Sequence, residues 1–281
     1  MPELPDVVNY VHKLDQLLRG QEIRQLLIRS PFVLRTFSPD VEIVAGRIIE
    51  QFSRRGKRIV LHLQGDIFLV FHLMIAGRFH WFKGEKKPTG KNDLLSIVTD
   101  IGTMKLTEAS SKKRAGLWLF ESLEQVNQTD PGGINVLQCS LVEFREQLLK
   151  ENRTLKRCLT EPRKFDGIGN AYSDEILHCA RLSPLKRTQL TEEEILVAIQ
   201  LRRDVLNSEV KRLASEQNQG AFQNESLYFM TRWLLMANSA SPVQFASPIQ
   251  PHRLRRKRMQ LLPRLPNWWQ DFGRSKCRRD C

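Results

Sequence analysis

The chain contains no Cys-x-x-Cys pair, and its five cysteines, Cys139, Cys158, Cys179, Cys277 and Cys281, are scattered. That spacing offers neither a disulfide framework nor a complete zinc site, because closed tetrahedral zinc needs four converging ligands. No apolar run approaches the length of about 20 residues that spans a bilayer. Met1-Pro2-Glu3 also lacks the basic opening of a secretory signal. These absences predict a cytoplasmic chain, not a membrane one, with buried free thiols at the first three cysteines. Acidic residues are in short supply as well, 31 against 44 Lys and Arg, for a formal charge of +13. Such an excess suits a polyanionic partner, since lysine and arginine displace the counterions condensed on nucleic-acid phosphates. Its distribution tempers that inference: residues 251–281 hold ten Lys and Arg against two Asp, and residues 1–250 hold 34 against 29, only +5.

Chemistry is concentrated at the N-terminus. An initiator Met before a small residue is normally removed, which leaves Pro2 as a free secondary amine. An α-amino group has a pKa of about 7.7–8.0, so much of it is neutral and nucleophilic where a lysine, at about 10.4, is not. Condensed with a sugar C1′ it forms a charged iminium, and Glu3 beside it can move protons to and from the ring oxygen. Taken alone, the hexapeptide is better read as a pair of prolines that stiffen a leader before a helix, so the case for chemistry rests on the remainder of the chain.

With 281 residues the chain has room for two ordinary cores. Val7, Val8, Val11, Leu14, Leu17 and Leu18 recur at helical spacing before Gly20, predicting an amphipathic helix. From Glu22 to about Phe120 the pattern becomes short β-rich runs: Ile23–Leu27, Glu42–Ile49, Arg58–Leu63, Ile67–Phe71, Leu94–Thr99, Thr103–Thr107 and Gly116–Phe120. Turn residues such as Gly46, Gly65, Gly84 and Gly102 separate them, as in a sandwich or barrel. The stretch from Val126 to Ile134 is turn-rich, and helical patterns follow at Leu141–Leu149, Leu155–Leu159, Ala171–Ala180 and Thr191–Leu213. Thr191 and Glu194 have the spacing of a capping box.

Three basic or glycine-rich stretches carry candidate contacts. Arg54-Arg55-Gly56-Lys57-Arg58 lies between strands, Lys112-Lys113-Arg114 precedes Gly116, and Gly167-Ile168-Gly169-Asn170 precedes a helix. The first two read equally as solvated basic loops. In the third, two glycines let the backbone approach a ligand, and the helix start is a natural phosphate seat. A dinucleotide loop would need a third glycine and a preceding strand.

Together these pieces resemble the formamidopyrimidine-DNA glycosylase/endonuclease VIII family of base-excision repair. They are Pro2-Glu3-Leu4-Pro5, Arg55-Gly56-Lys57, His72-Leu73 with Gly77, Lys112-Lys113-Arg114, and Gly167-Ile168-Gly169-Asn170-Ala171-Tyr172-Ser173-Asp174-Glu175-Ile176-Leu177, in the family's order over residues 1–225. The resemblance implies an α+β fold. Residues 1–128 would form a catalytic β-sandwich with an N-terminal helix, and residues 129–229 a DNA-binding helix-two-turn-helix domain. It implies a monomer acting on damaged double-stranded DNA as a bifunctional glycosylase and AP lyase for oxidised purines. Oxidised pyrimidines, or DNA binding without turnover, are the alternatives. Pro2 maps to the nucleophile, Glu3 to the proton donor at the sugar and Lys57 to the lysine that assists β-elimination. Arg114, Asn170 and Lys156 map to DNA contacts.

The sequence departs from that family at Asp6, where Glu is usual, and at Leu73-Met74-Ile75-Ala76, which shifts the wedge methionine by one place. Ala115 stands where an aromatic is common. The largest departure is the tail, residues 230–281, which replaces the family's four-cysteine zinc finger. We read it as the finger out of frame. The last two letters of the Met259 codon joined to the first of Gln260 force cysteine, and Trp268-Trp269 and Trp269-Gln270 each force glycine. The shifted frame then permits a Cys-x-x-Cys-Gln and Gly-Gly ending similar to the family's. No cofactor is therefore expected in this chain: no metal ligand is assigned, and residues 236–281 are expected to be poorly ordered.

Overall fold

A computed structural model of the chain describes residues 2–216. The readings made for the tail, its frame, its order and its zinc, lie outside the described residues. Helix α1 (Leu4–Leu18) turns Leu4, Val7, Tyr10, Leu14 and Leu18 inward, one face of a 3.6-residue repeat. Pro5 sits in its first turn, where a missing N–H costs nothing, and the Asp6 carboxylate accepts the Glu3 amide at 2.7 Å.

Two four-stranded sheets follow. Strands β1 (Ile23–Ile28), β5 (Gly77–Phe82), β6 (Asp93–Thr99) and β7 (Gly102–Glu108) form one, in the order β1-β6-β7-β5. Strands β2 (Ile49–Arg55), β3 (Arg58–Leu63), β4 (Ile67–His72) and β8 (Gly116–Phe120) form the other, in the order β2-β3-β4-β8. All pairings within the two sheets are antiparallel. Leu61, Leu69, Phe71, Leu117 and Leu119 from one sheet share a single core with Phe79, Leu95, Ile97, Met104 and Leu106 from the other. Phe79 ties the layers together: its ring meets Phe71 edge-on at 5.3 Å and Tyr10 of α1 at 5.7 Å, the arrangement the ring quadrupole favours.

The strand expected at Glu42–Ile49 is instead a 3₁₀ turn at Val41–Val44. There Asp40 accepts the amide of Glu42 at 3.0 Å, and Gly46 turns the chain at φ +78°. β2 begins only at Ile49. β5 is not among the runs that the pattern gives: with Arg78, His80, Trp81 and Phe82 all of intermediate exposure, it shows little apolar alternation. Helix α2 (Leu123–Gln128), capped by Ser122, is too short to show a period.

Beyond it come the parallel pair β9 (Ile134–Asn135) and β10 (Phe165–Asp166), and helices α3 (Leu141–Leu149), α4 (Leu155–Leu159), α5 (Asn170–Cys179) and α6 (Glu192–Glu216). The capping box foreseen at Thr191 and Glu194 forms in both directions, at 3.3 and 3.1 Å. α6 packs against α1, α3 and α5, so the described residues belong to one compact unit.

Within that unit Arg202 of α6 is fully buried. Its guanidinium donates to the carbonyls of Val136 at 2.6 Å, Cys139 at 3.0 Å and Ile199 at 3.2 Å, and lies 4.5 Å from the Phe144 ring centre. Carbonyl oxygens thereby satisfy a buried cation that lacks an acidic partner among the described residues. Replacing it by methionine fills the space but strands those acceptors. Each buried unpaired group costs about 1–3 kcal/mol, so Arg202→Met is expected to lose roughly 2–4 kcal/mol, read as a lower midpoint in urea unfolding.

Candidate active site

Glu3 precedes the first turn of α1 and is 2% exposed. Its carboxylate reaches the start of α5, where Oε2 accepts the amides of Gly169 at 2.8 Å and Tyr172 at 3.1 Å, and Oε1 accepts that of Ala171 at 2.9 Å. A helix N-terminus carries unsatisfied N–H groups and partial positive charge, so an anion is favoured there. Here the anion is supplied by the chain itself. This corrects one sequence reading: three amides of the expected phosphate seat are already occupied by Glu3. The Leu4 amide donating to the Gly167 carbonyl at 3.0 Å fastens the same two segments together.

Lys57 arrives from the β2–β3 hairpin, whose tight turn is Gly56-Lys57, with Gly56 at φ +60°. Gly169 explains how the two charges meet. A Cβ placed on it would fall 2.3 Å from Glu3 Oε1 and 2.7 Å from Lys57 Nζ. Only a residue without a side chain leaves both groups their positions. Burial pushes the Glu3 carboxyl up, against the opposing pull of Lys57 and the three amides. Burial likewise pushes the Lys57 ammonium down, against the attraction of Glu3 and of Asp166.

Pro2 is buried beside Glu3. In the 281-residue chain its nitrogen is in peptide linkage with Met1, so a nucleophile exists there only after Met1 is removed. Asn170 is exposed and opens α5, next to the shared Glu3 and Lys57 position. Arg114 is exposed on the β7–β8 loop. The buried Glu108 carboxylate anchors that loop by accepting the amides of Arg114 at 2.7 Å and Ala115 at 2.9 Å. Gly116 pairs with His72, so the loop leaves the sheet at the strand end that carries His72. Lys156 is on α4, its ammonium 2.6 Å from the carboxylate of Asp174 on α5. A phosphate at Lys156 has to compete with that partner.

Two residues of this neighbourhood carried no assigned role in the sequence. Asp166, directly before Gly167, forms a largely buried ion pair with Arg54. His72 ends β4 opposite Arg58, and its Nδ1 accepts the Met74 amide at 3.0 Å. Burial and the nearby Arg58 and Lys57 charges lower its pKa to about 4. Among the described residues no group of three or more His, Cys, Asp or Glu is placed to hold a metal ion. None of their helices is long and apolar enough to cross a membrane.

Comparison with known proteins places these features in context. The family model described as the formamidopyrimidine-DNA glycosylase N-terminal domain matches residues 1–115, and that for the H2TH domain of the same enzyme matches residues 135–219. The formamidopyrimidine-DNA glycosylase of Syntrophomonas wolfei is 32% identical over 186 residues, covering 66% of this chain and 68% of the relative. That of Bacillus cereus is 30% identical over 222 residues, covering 75% and 79%. Among solved structures, the Lactococcus lactis enzyme with abasic-site DNA superposes with a TM-score of 0.69 at 27% identity, covering 74% of this chain and 78% of its own. The same enzyme with DNA containing N7-benzyl-Fapy-dG also gives 0.69, at 28% identity, covering 75% and 79%.

His72 tests the electrostatics directly. Its ring is expected to stay neutral through pH 6 and to protonate only near pH 4, because the charged form is both desolvated and repelled by two cations. An NMR titration of the histidine ring protons checks this; a midpoint near the ordinary value of about 6.5 contradicts it.

Proposed function

The chain belongs to the formamidopyrimidine-DNA glycosylase family, and from that membership and the geometry above we propose that it is a bifunctional DNA glycosylase and AP lyase. In this reading it removes oxidised purines, such as 8-oxoguanine and formamidopyrimidines, from damaged duplex DNA. The observation that carries the reading is the meeting of Glu3 and Lys57 around Gly169, next in sequence to Pro2, in a chain whose order of motifs follows the family.

The steps follow from the groups present. The damaged nucleotide leaves the stack, at a cost of a few kcal/mol that is smallest at a lesion. The neutral Pro2 amine attacks C1′, the C1′–base bond breaks, and a proton reaches the opening ring oxygen from Glu3, whose raised pKa suits proton donation. The resulting iminium withdraws electrons from C1′ and acidifies the neighbouring C2′ hydrogen. Loss of that proton expels the 3′ phosphate, with Lys57 assisting, and a second elimination expels the 5′ phosphate. Arg114 and Asn170, both exposed, are assigned to the DNA strands, and Lys156 to a phosphate in competition with Asp174. The division of the chain at 128/129 into catalytic and DNA-binding parts belongs to the same proposal, as do its action as a monomer and its place in the cytoplasm.

Borohydride reduction of the full chain mixed with abasic-site or 8-oxoguanine duplex is expected to trap a covalent adduct at residue 2. Chain that retains Met1 should give none. Binding of the duplex without any adduct would instead establish a DNA-binding protein without turnover. Lys57→Ala is expected to slow strand cleavage by about 100-fold or more, the lower end of what a positioned proton-transfer group contributes, while adduct formation persists; gel assays of cleavage and trapping on one substrate separate the two effects.

A further inference from the structure

Asp166 is a carboxylate that the steps above do not use, yet it is placed among the groups they do use. Arg54 Nη1 is bound to its Oδ2 and donates also to the Gly56 carbonyl at 3.1 Å. The side chains of the pair are only 16% and 12% exposed. The other oxygen, Oδ1, is buried and has no hydrogen-bond donor among the described residues. It faces the hairpin turn, 3.5 Å from the point a Cβ on Gly56 would occupy. The backbone of Asp166 is itself held, paired with Asn135 between β10 and β9. A buried carboxylate oxygen without a donor is costly, so its persistence calls for a compensating charge. Lys57, the next residue of the turn, is a cation not already bound to it on which its charge acts.

We propose that Asp166, gripped by Arg54, is a positioning residue for Lys57: its free oxygen supplies the second negative charge that holds the ammonium at Gly169 opposite Glu3. The charged and titratable groups around Lys57 are then Glu3 before α1, Arg54 on β2, Arg58 on β3, His72 on β4 and Asp166 on β10. His72 is neutral near pH 7. Two carboxylates thus act on the ammonium, while Arg54 is occupied by Asp166. The same order emerges from the shift at Lys57, where Glu3 and Asp166 are the two charges that counter desolvation. Removing the Asp166 charge leaves Arg54 uncompensated, and both changes disfavour the protonated lysine.

The role of this device in turnover rests on the proposed lyase reading, so the test has two arms. In the first, the full chain with biosynthetically 13C-labelled lysine is titrated by NMR, with the Lys57 signal assigned by its loss in Lys57→Arg. Asp166→Asn is expected to lower the Lys57 midpoint by about one pH unit, the size of shift a nearby charge produces. Asp166→Glu should restore it. If Asp166→Asn unfolds below the assay temperature, Arg54→Gln reads the same coupling with the opposite sign and raises the midpoint. An unchanged Lys57 midpoint in Asp166→Asn, or in Arg54→Gln where that variant is needed, overturns the proposal.

In the second arm, cleavage of abasic-site duplex is followed against pH. The limb that Lys57→Arg removes should move in Asp166→Asn by the shift seen in the titration. A limb that stays in place while the lysine midpoint moves also overturns the positioning role. Absence of cleavage by the unsubstituted chain refutes the lyase reading instead, and the coupling is then decided by the titration alone.

Discussion

The carboxylate of Glu3 at the N-terminus of α5 is the constraint on which the arrangement of the site depends. Three amide donors converge on two oxygens, at 2.8, 2.9 and 3.1 Å. They come from a segment more than 160 residues along the chain. Charge-assisted bonds of this kind are stronger than neutral ones, and here they are sheltered from water. They also join the start of α1, itself anchored in the sandwich core, to the helical half of the unit. The residue next to the candidate nucleophile therefore cannot move independently of α5, and with it of Asn170.

That interaction has an electrostatic consequence. Burial alone makes both Glu3 and Lys57 prefer their neutral forms, one with its pKa raised and the other lowered. Their mutual attraction opposes both shifts. In a medium of low effective dielectric such coupling is large, so the proton distribution of the pair responds to small changes nearby. A phosphate or a developing iminium charge entering this space would shift it in opposite directions. The proposed reaction, in which a proton is first donated and another later removed, is served by groups poised in this way.

Much of the fold was legible because its elements obey simple periods. Arg58–Leu63, Gly116–Phe120, Leu141–Leu149 and Leu155–Leu159 have in the structure the bounds that pattern and turn residues give them. β2 was displaced because Glu50, Gln51, Ser53, Arg54 and Arg55 lie outside its two buried positions, Ile49 and Phe52, while the apolar residues before it are spent on a 3₁₀ turn. For the site, the motif order singled out Glu3, Lys57 and Asn170 without any distance between them. What could not be read was occupancy. The glycine-rich helix start looks like an open anion seat in sequence, and whether an acidic side chain already fills it depends on tertiary packing. Asp166 escaped notice for the same reason, since its meaning lies in Arg54 and in the turn it faces.

The charges around the hairpin turn form an alternating series: Glu3, Lys57, Asp166, Arg54. Taken at their ordinary charges the four sum to zero, so the cluster can be buried without a large net field. Its members are nonetheless unequal in their bonding. Glu3 has three backbone donors, and Arg54 has both a carboxylate and a carbonyl. Lys57 is placed between two anions by attraction from both sides, on a flexible four-carbon stem. Because backbone groups hold the outer members of the series, the lysine is the member whose side chain the proposed reaction can move. Neutral His72 fits this arrangement: a third cation beside Arg58 and Lys57 would repel the ammonium that the two carboxylates hold in place.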